Sequence, residues 1–402
     1  MSAELTIGFL PLVDACLPIL AREHGFAEAE GLSLRLVKDM SWATVLDRLL
    51  YGHSDAAHMV APLAIATTLG RGRPAQPLSV PFVLGLNGNA ITMTPALAAR
   101  IKPRAGPGDV RAIGTALAAV AAERLAAGRP LRFGVVHRYS SHNYMLRYWL
   151  AACGIRPDHD VEINTIAPPF CADALEMGEV DAICVGEPWS SVAVERGVGE
   201  ITVFSAQIWR RGVEKVLALR EPVMEEKRES VEALIRALRK AGEHFVDSAN
   251  WETNAAILAR AEYLDGNPVL IHRAISDRLL LAKGGEPVHF PDFMFQHREA
   301  ANFPWVSQAE WLYTQMTRWD GIAFSPGDAA KAARVFRPDV YRSALLGTGE
   351  PLPGASSKVE GSLIGTTAVS TQQGKMTLES NQFFDGMVFD PLDLPGYLAK
   401  LP

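Results

Sequence analysis

The chain has 402 residues, 48% of them hydrophobic and 21% charged, with a formal net charge of −6. That is enough apolar material for more than one core, so two domains, or two lobes sharing a hinge, are expected. The acidic balance offers no concentrated basic face for direct nucleic-acid binding, and no uncharged apolar run reaches the length of a membrane span.

The first half alternates strand and helix signals. Leu5–Leu10 reads as a buried strand and Leu12–His24 as a helix with Asp14 near its start, closed by Gly25 and Gly31. Leu32–Lys38 alternates as a second strand, and Ser41 is placed to cap a helix from Trp42 to about Tyr51. A short strand at Ala56–Met59 leads into a helix from Pro62 to Leu69, and the runs VPFVLGL and AITM follow, separated by Asn87-Gly88-Asn89. After the Pro/Gly-containing segment Lys102–Asp109 and an alanine-rich helix at Ala112–Ala127, a second unit begins. It reads as strand Leu131–Val136, helix Ser141–Cys153, strand Val161–Ile166, helix Cys171–Met177 and strand Ala182–Val185. Lys215–Leu219 reads as a strand feeding a long helical region, Val223 to Leu281. In Arg220–Lys240 the basic residues interleave with Glu225, Glu226, Glu229 and Glu232, the pattern of a salt-bridge-laced helix face.

Repeated strand–helix–strand units predict an α/β fold with mostly parallel sheets, which bind ligands beyond the carboxyl ends of their strands. The tail Gly347–Gly374, rich in Gly, Ser, Thr and Pro, reads as an extended or flexible excursion, whereas Phe383–Pro391 is aromatic enough to pack down.

Enzyme motifs are weak. The glycine clusters Gly70–Pro74 and Gly85–Asn89 match neither the dinucleotide-binding pattern nor the P-loop, and there is no G-x-S-x-G elbow and no HExxH. The cysteines Cys16, Cys153, Cys171 and Cys184 form no CxxC pair, so reduced buried thiols are expected, with no metal site and no cofactor. What the loops after the strands do offer suits a small oxyanion, which needs about one cation, directed N–H donors and walls that exclude water. His142 falls in the first turn of its helix, Gly186 in a strand–Gly-Glu-Pro–helix turn, and Lys215 at a strand edge. Trp42 can supply an indole N–H, and Asn89 an amide. Each also has a bland reading: a capped helix with His142 in water, an ordinary turn at Gly186, a solvated lysine, a core tryptophan, a simple turn at Asn89.

Taken in order, the stretches Pro11–Ala15, Ser41–Leu49, Leu86–Thr92, Ser141–Ile155, Val180–Trp189, Val213–Arg220 and Phe383–Pro391 resemble the nitrate- and bicarbonate-binding branch of the periplasmic-binding-protein superfamily. The resemblance implies a two-lobed fold that closes on its ligand, with one lobe made of residues 1–92 plus 217–402 and the other of 93–216. It carries the family's anion contacts onto Trp42, His142, Gly186 and Lys215, and a fifth contact, glutamine in nitrate-binding relatives, onto Asn89. Lysine at 215 favours nitrate, with nitrite second, because the resembling bicarbonate binders have an acidic residue there and use calcium. No export signal precedes the first strand, so the chain resembles the family's cytoplasmic nitrate sensor, which holds an RNA-binding antiterminator protein inactive until nitrate binds. A nitrate-binding subunit of an ABC transporter is the alternative, and an enzyme on the same fold a third.

Overall fold

The computed structural model describes residues 3–102 and 108–401, so most of the Pro/Gly segment expected at Lys102–Asp109 lies outside the described residues. Ten strands in chain order frame the site: β1 (Ala3–Phe9), β2 (Leu32–Lys38), β3 (Ala56–Val60), β4 (Leu78–Asn87), β5 (Asn89–Met93), β6 (Leu131–Val135), β7 (Val161–Thr165), β8 (Ala182–Gly186), β9 (Glu200–Phe204) and β10 (Val213–Arg220). They form two sheets. The first runs Met294–Phe295, β4, β10, β3, β1, β2, and the second β7, β6, β8, β5, β9.

Both sheets are mixed, not mostly parallel. β1 pairs parallel with β2 and β3, and β6 with β7 and β8, as strand–helix–strand units require. β10 and β5 run antiparallel to their neighbours on both sides. These are the strands by which the chain enters each sheet from the other one, so they have no crossover helix to impose a parallel direction. The chain passes to the second sheet at Gly88 and returns between Phe204 and Val213, a little before the boundaries expected at 92/93 and 216/217. At the first crossing Asn87 and Gly88 both adopt left-handed backbone (φ 58° and 85°), a turn that glycine enters without steric cost. The Asn87 amide nitrogen donates to Arg210 O at 2.8 Å, tying the two crossings together.

The sequence-expected helix Leu12–His24 is a 3-10 turn, Val13–Ala15, followed by a helix at Cys16–Glu23. The long helical region expected to Leu281 is instead four α-helices, Glu221–Glu226, Arg228–Val246, Trp251–Leu258 and Pro268–Ile275, with a 3-10 turn at Ser248–Asn250 and, at its end, the short strand Arg278–Leu280. The longest, Arg228–Val246, buries Val231, Leu234, Ile235, Leu238, Ala241 and Phe245 at helical spacing and turns Arg228 and Glu232 outward as a 2.7 Å ion pair. All four cysteines are free thiols, Cys153 half-buried and the others buried.

The tail is extended but tied down. Leu352–Pro353 pairs with Thr371–Gln373, and Thr367–Val369 with Met376–Leu378. Beyond it, Phe383 stacks on Trp209 (centroids 4.8 Å apart) and Trp311 (5.7 Å) and lies 5.5 Å from Tyr148. The Tyr148 hydroxyl donates to Asp385 at 3.0 Å. Tyr148 belongs to the helix Ser141–Ala152 over the second sheet, and Trp311 to the helix Val306–Trp319, which packs on the first lobe's helix Ala61–Thr68. The tail therefore straps one lobe to the other.

Candidate functional site

The site starts from a helix cap. The Ser41 hydroxyl accepts from Thr44 N at 3.2 Å while Thr44 Oγ1 accepts from Ser41 N at 3.3 Å, a reciprocal capping box. This fixes Trp42 as the first residue of the helix Trp42–Leu50, with its indole buried. The ring centroid lies 5.4 Å from that of His58 on β3 and 5.4 Å from Lys215 Nζ on β10.

Lys215 is fully buried, a position an ammonium group tolerates only when paired. Its Nζ lies 2.8 Å from Asp14 Oδ2 and 2.6 Å from Glu214 Oε1. Adjacent strand residues ordinarily face opposite sides of a sheet. Here the pairing of β10 with β4 shifts register on both sides of Lys215, and that irregularity lets Glu214 and Lys215 reach the same place. Each carboxylate also meets a histidine: His58 Nε2 lies 2.8 Å from Asp14 Oδ1, and His142 Nδ1 lies 3.2 Å from Glu214 Oε1.

Burial and charge pull against each other in this cluster. Burial works to raise Asp14, but Lys215 and His58 hold its carboxyl well below the usual range. Glu214 is lowered in the same way, with His142 and Lys215 outweighing desolvation. Burial would lower Lys215, yet Asp14 and Glu214 keep it above the ordinary lysine value. For the histidines burial wins: His58 is lowered, and His142 is pushed down to about 4. Lys215 is thus an ammonium and both rings are neutral at neutral pH.

The second lobe closes the ring. Asn89 on β5 pairs in register with Gly186 at the end of β8. A Cβ at Gly186 would lie 3.2 Å from Asn89 Oδ1 and 3.4 Å from Asp14 Oδ2, so glycine permits the close approach of the two lobes. Ser140 caps the helix Ser141–Ala152 by accepting from Asn143 N at 3.1 Å, which sets His142 in the first turn, buried rather than in water. The lobes are in contact here: Val13 N donates to Glu187 O at 2.8 Å, and the Trp189 indole donates to Pro11 O at 3.2 Å.

The structure therefore brings Trp42, Asn89, His142, Gly186 and Lys215 together around Asp14 and Glu214. Trp42 Nε1, Asn89 Nδ2 and His142 Nε2 are buried with no hydrogen-bond partner among the described residues. Buried polar groups are normally satisfied, so a convergence of unpartnered donors beside an ammonium group is chemically suited to a small anion. Sequence reasoning missed Asp14, His58 and Glu214 as parts of this site. A histidine inside the wholly buried strand β3 and an acidic residue beside Lys215 in an apolar strand were the signals available. Among the described residues no group of three or more His, Cys, Asp or Glu is arranged to hold a metal ion, and no helix is long and apolar enough to cross a membrane.

Two mixed α/β lobes joined by crossing strands, with polar residues converging between them, define a periplasmic-binding-protein-like fold. The crystal structure of the periplasmic nitrate-binding protein NrtA from Synechocystis PCC 6803 superposes with a TM-score of 0.86 at 25% identity, covering 100% of this chain and 99% of that one. The chain belongs to the NMT1-like family, which matches residues 1–259. The nitrate import ATP-binding protein NrtC of Synechocystis sp. is 31% identical over 400 residues, which is 99% of this chain and 55% of that protein. The bicarbonate transport ATP-binding protein CmpC of Synechococcus elongatus is 30% identical over 402 residues, again 99% of this chain and 55% of that protein. The chain thus spans about half the length of these curated relatives.

Proposed function

We propose that this protein is a non-enzymatic receptor that closes its two lobes on nitrate, with nitrite as a second ligand. The observation that carries the reading is the set of unpartnered buried donors, Trp42 Nε1, Asn89 Nδ2 and His142, beside the buried ammonium of Lys215. Nitrate is planar, singly charged and without a proton to donate, so it matches donors and a cation. Names of relatives include both nitrate and bicarbonate, and the lysine at 215 supports the nitrate side. Calorimetric titration with nitrate, nitrite and bicarbonate tests the assignment, and no binding at millimolar nitrate would sink it.

The finer role follows from the resemblance to the cytoplasmic nitrate sensor. On this reading the protein works in the cytoplasm and binds an RNA-binding antiterminator in its open form, and nitrate, by favouring closure, lowers affinity for that partner. The net charge of −6 is consistent with leaving RNA contact to the partner. The import and transport proteins among the relatives support a second reading, a nitrate-binding component of an ABC transporter. A pull-down of the full native protein with and without nitrate separates the two: release of an RNA-binding protein favours sensing, and a nitrate-independent association with a permease favours transport.

A further inference from the structure

Lys215 faces two carboxylates, Asp14 at 2.8 Å and Glu214 at 2.6 Å, so with neutral histidines this buried group carries a net negative charge before any anion arrives. Such a site opposes the ligand proposed for it unless a proton enters as well. His142 is placed to receive it. Its Nδ1 lies 3.2 Å from Glu214 Oε1, and its Nε2 is buried with no partner among the described residues. A neutral imidazole has one N–H and can serve only one of two acceptors, whereas imidazolium has two and can serve both Glu214 and an anion.

Resting on the nitrate reading above, we propose that His142 takes up a proton from solvent as the anion binds, so that the site holds a monoanion together with H⁺. The charged groups acting on His142 are Glu214 and Lys215 on β10 and Asp14 on the Val13–Ala15 turn; His58 stands behind Asp14, and Cys184 and Glu187 are the buried titratable groups of β8 and the turn after it. Lys215 opposes protonation, while Asp14 and Glu214 favour it, and a bound anion joins their side. The Cys184 thiol is raised by burial and stays neutral. His58 lies behind the cluster, with Nε2 already on Asp14, and so is the weaker acceptor. Glu187, whose carboxyl burial raises to about 7, is the competing proton site.

The test is calorimetry of the full-length protein with potassium nitrate at pH 7 in two buffers of different ionisation enthalpy. Heats that differ by the uptake of close to one proton, and affinity that tightens up to about tenfold per pH unit on acidification, support the proposal. Equal heats with clear nitrate binding overturn it and leave the nitrate reading standing, whereas no heat in either buffer overturns both. His142→Gln should abolish the buffer dependence, while His58→Gln and Glu187→Gln should retain it. Uptake that survives in His142→Gln and is lost in either of the other two moves the proton elsewhere and overturns the assignment. If His142→Gln fails to bind or to fold, uptake that is retained in both Glu187→Gln and His58→Gln supports the assignment, and uptake lost in either overturns it.

Discussion

Two buried clusters join the lobes, and they are built on opposite rules. At the back, Trp311 and Phe383 each lie within 6 Å of both Tyr148 and Trp209, with the Tyr148 hydroxyl on Asp385 and the Trp311 indole on Tyr397. At the front, Trp42 and Asn89 bury donors, and His142 its Nε2, that nothing in the described chain satisfies, around a lysine held by two carboxylates. Aromatic packing stabilises a fold, and at the back only the Trp209 indole N–H among the four stacked rings lacks a partner in the described residues, whereas the front gathers several unpartnered donors that cost about 1–3 kcal/mol each. The front cluster therefore sacrifices stability for a binding surface, and the back cluster supplies it.

Substitutions should separate the two. Lys215→Met should have the largest effect, because it leaves Asp14 and Glu214 buried without their cation. Breaking such a pair costs about 3–5 kcal/mol, read in denaturant unfolding, and nitrate binding should disappear as well. If stability is unchanged, the front cluster is not the electrostatic unit described. Phe383→Ala should cost about 3 kcal/mol by emptying a buried aromatic site, while nitrate affinity measured on the folded fraction changes much less.

Acid should weaken the front cluster and not the aromatic one, while His137 and His297, lowered by burial to about 4 and about 3, and His244, also lowered, add to the decline. His58 and His142 are held below the ordinary histidine value of 6.5 by burial, so the unfolded chain takes up their protons first. The contribution of these two histidines is thus full above pH 6.5 and declines as pH falls toward about 4, the folded value of His142. The same slope should appear in Phe383→Ala; a slope that vanishes there would join the clusters into one unit.

Smaller effects sharpen the contrast. Trp42→Phe keeps the ring wall but removes the unpartnered N–H. Nitrate affinity should fall by roughly tenfold, while thermal stability holds or rises, the reverse of what a bonded core indole would show. Asn89→Gln should change nitrate affinity by less than about tenfold, since the amide donor is kept and only its reach grows.

The strand–helix alternation of the first half was legible from apolar periods and, for two of its helices, from the caps at Ser41 and Ser140. The antiparallel direction of β5 and β10 was not, since it depends on which sheet a strand enters from, a relation between segments far apart in the chain. The breaks in the long helical region fell at Lys227, Asp247 and Asn267, where polar residues interrupt an otherwise continuous helical pattern. At the site, residue type and position offered Trp42, His142, Gly186 and Lys215 only beside bland readings, and the family resemblance singled them out. Glu214 escaped notice because a register shift in β10, invisible in the sequence, turns it toward its own neighbour.

The aromatic strap also makes the molecule its own optical instrument. Trp209 stands in the return crossing between the sheets, stacked on Phe383 at 4.8 Å and an interplanar angle of 19°. A rotation of the lobes about that crossing shears the stack, and indole emission responds to such a change in ring contact and local polarity. Lobe angle should thus be readable from intrinsic fluorescence with no attached dye, and loss of the nitrate-dependent signal in Trp209→Phe would identify this residue as its source.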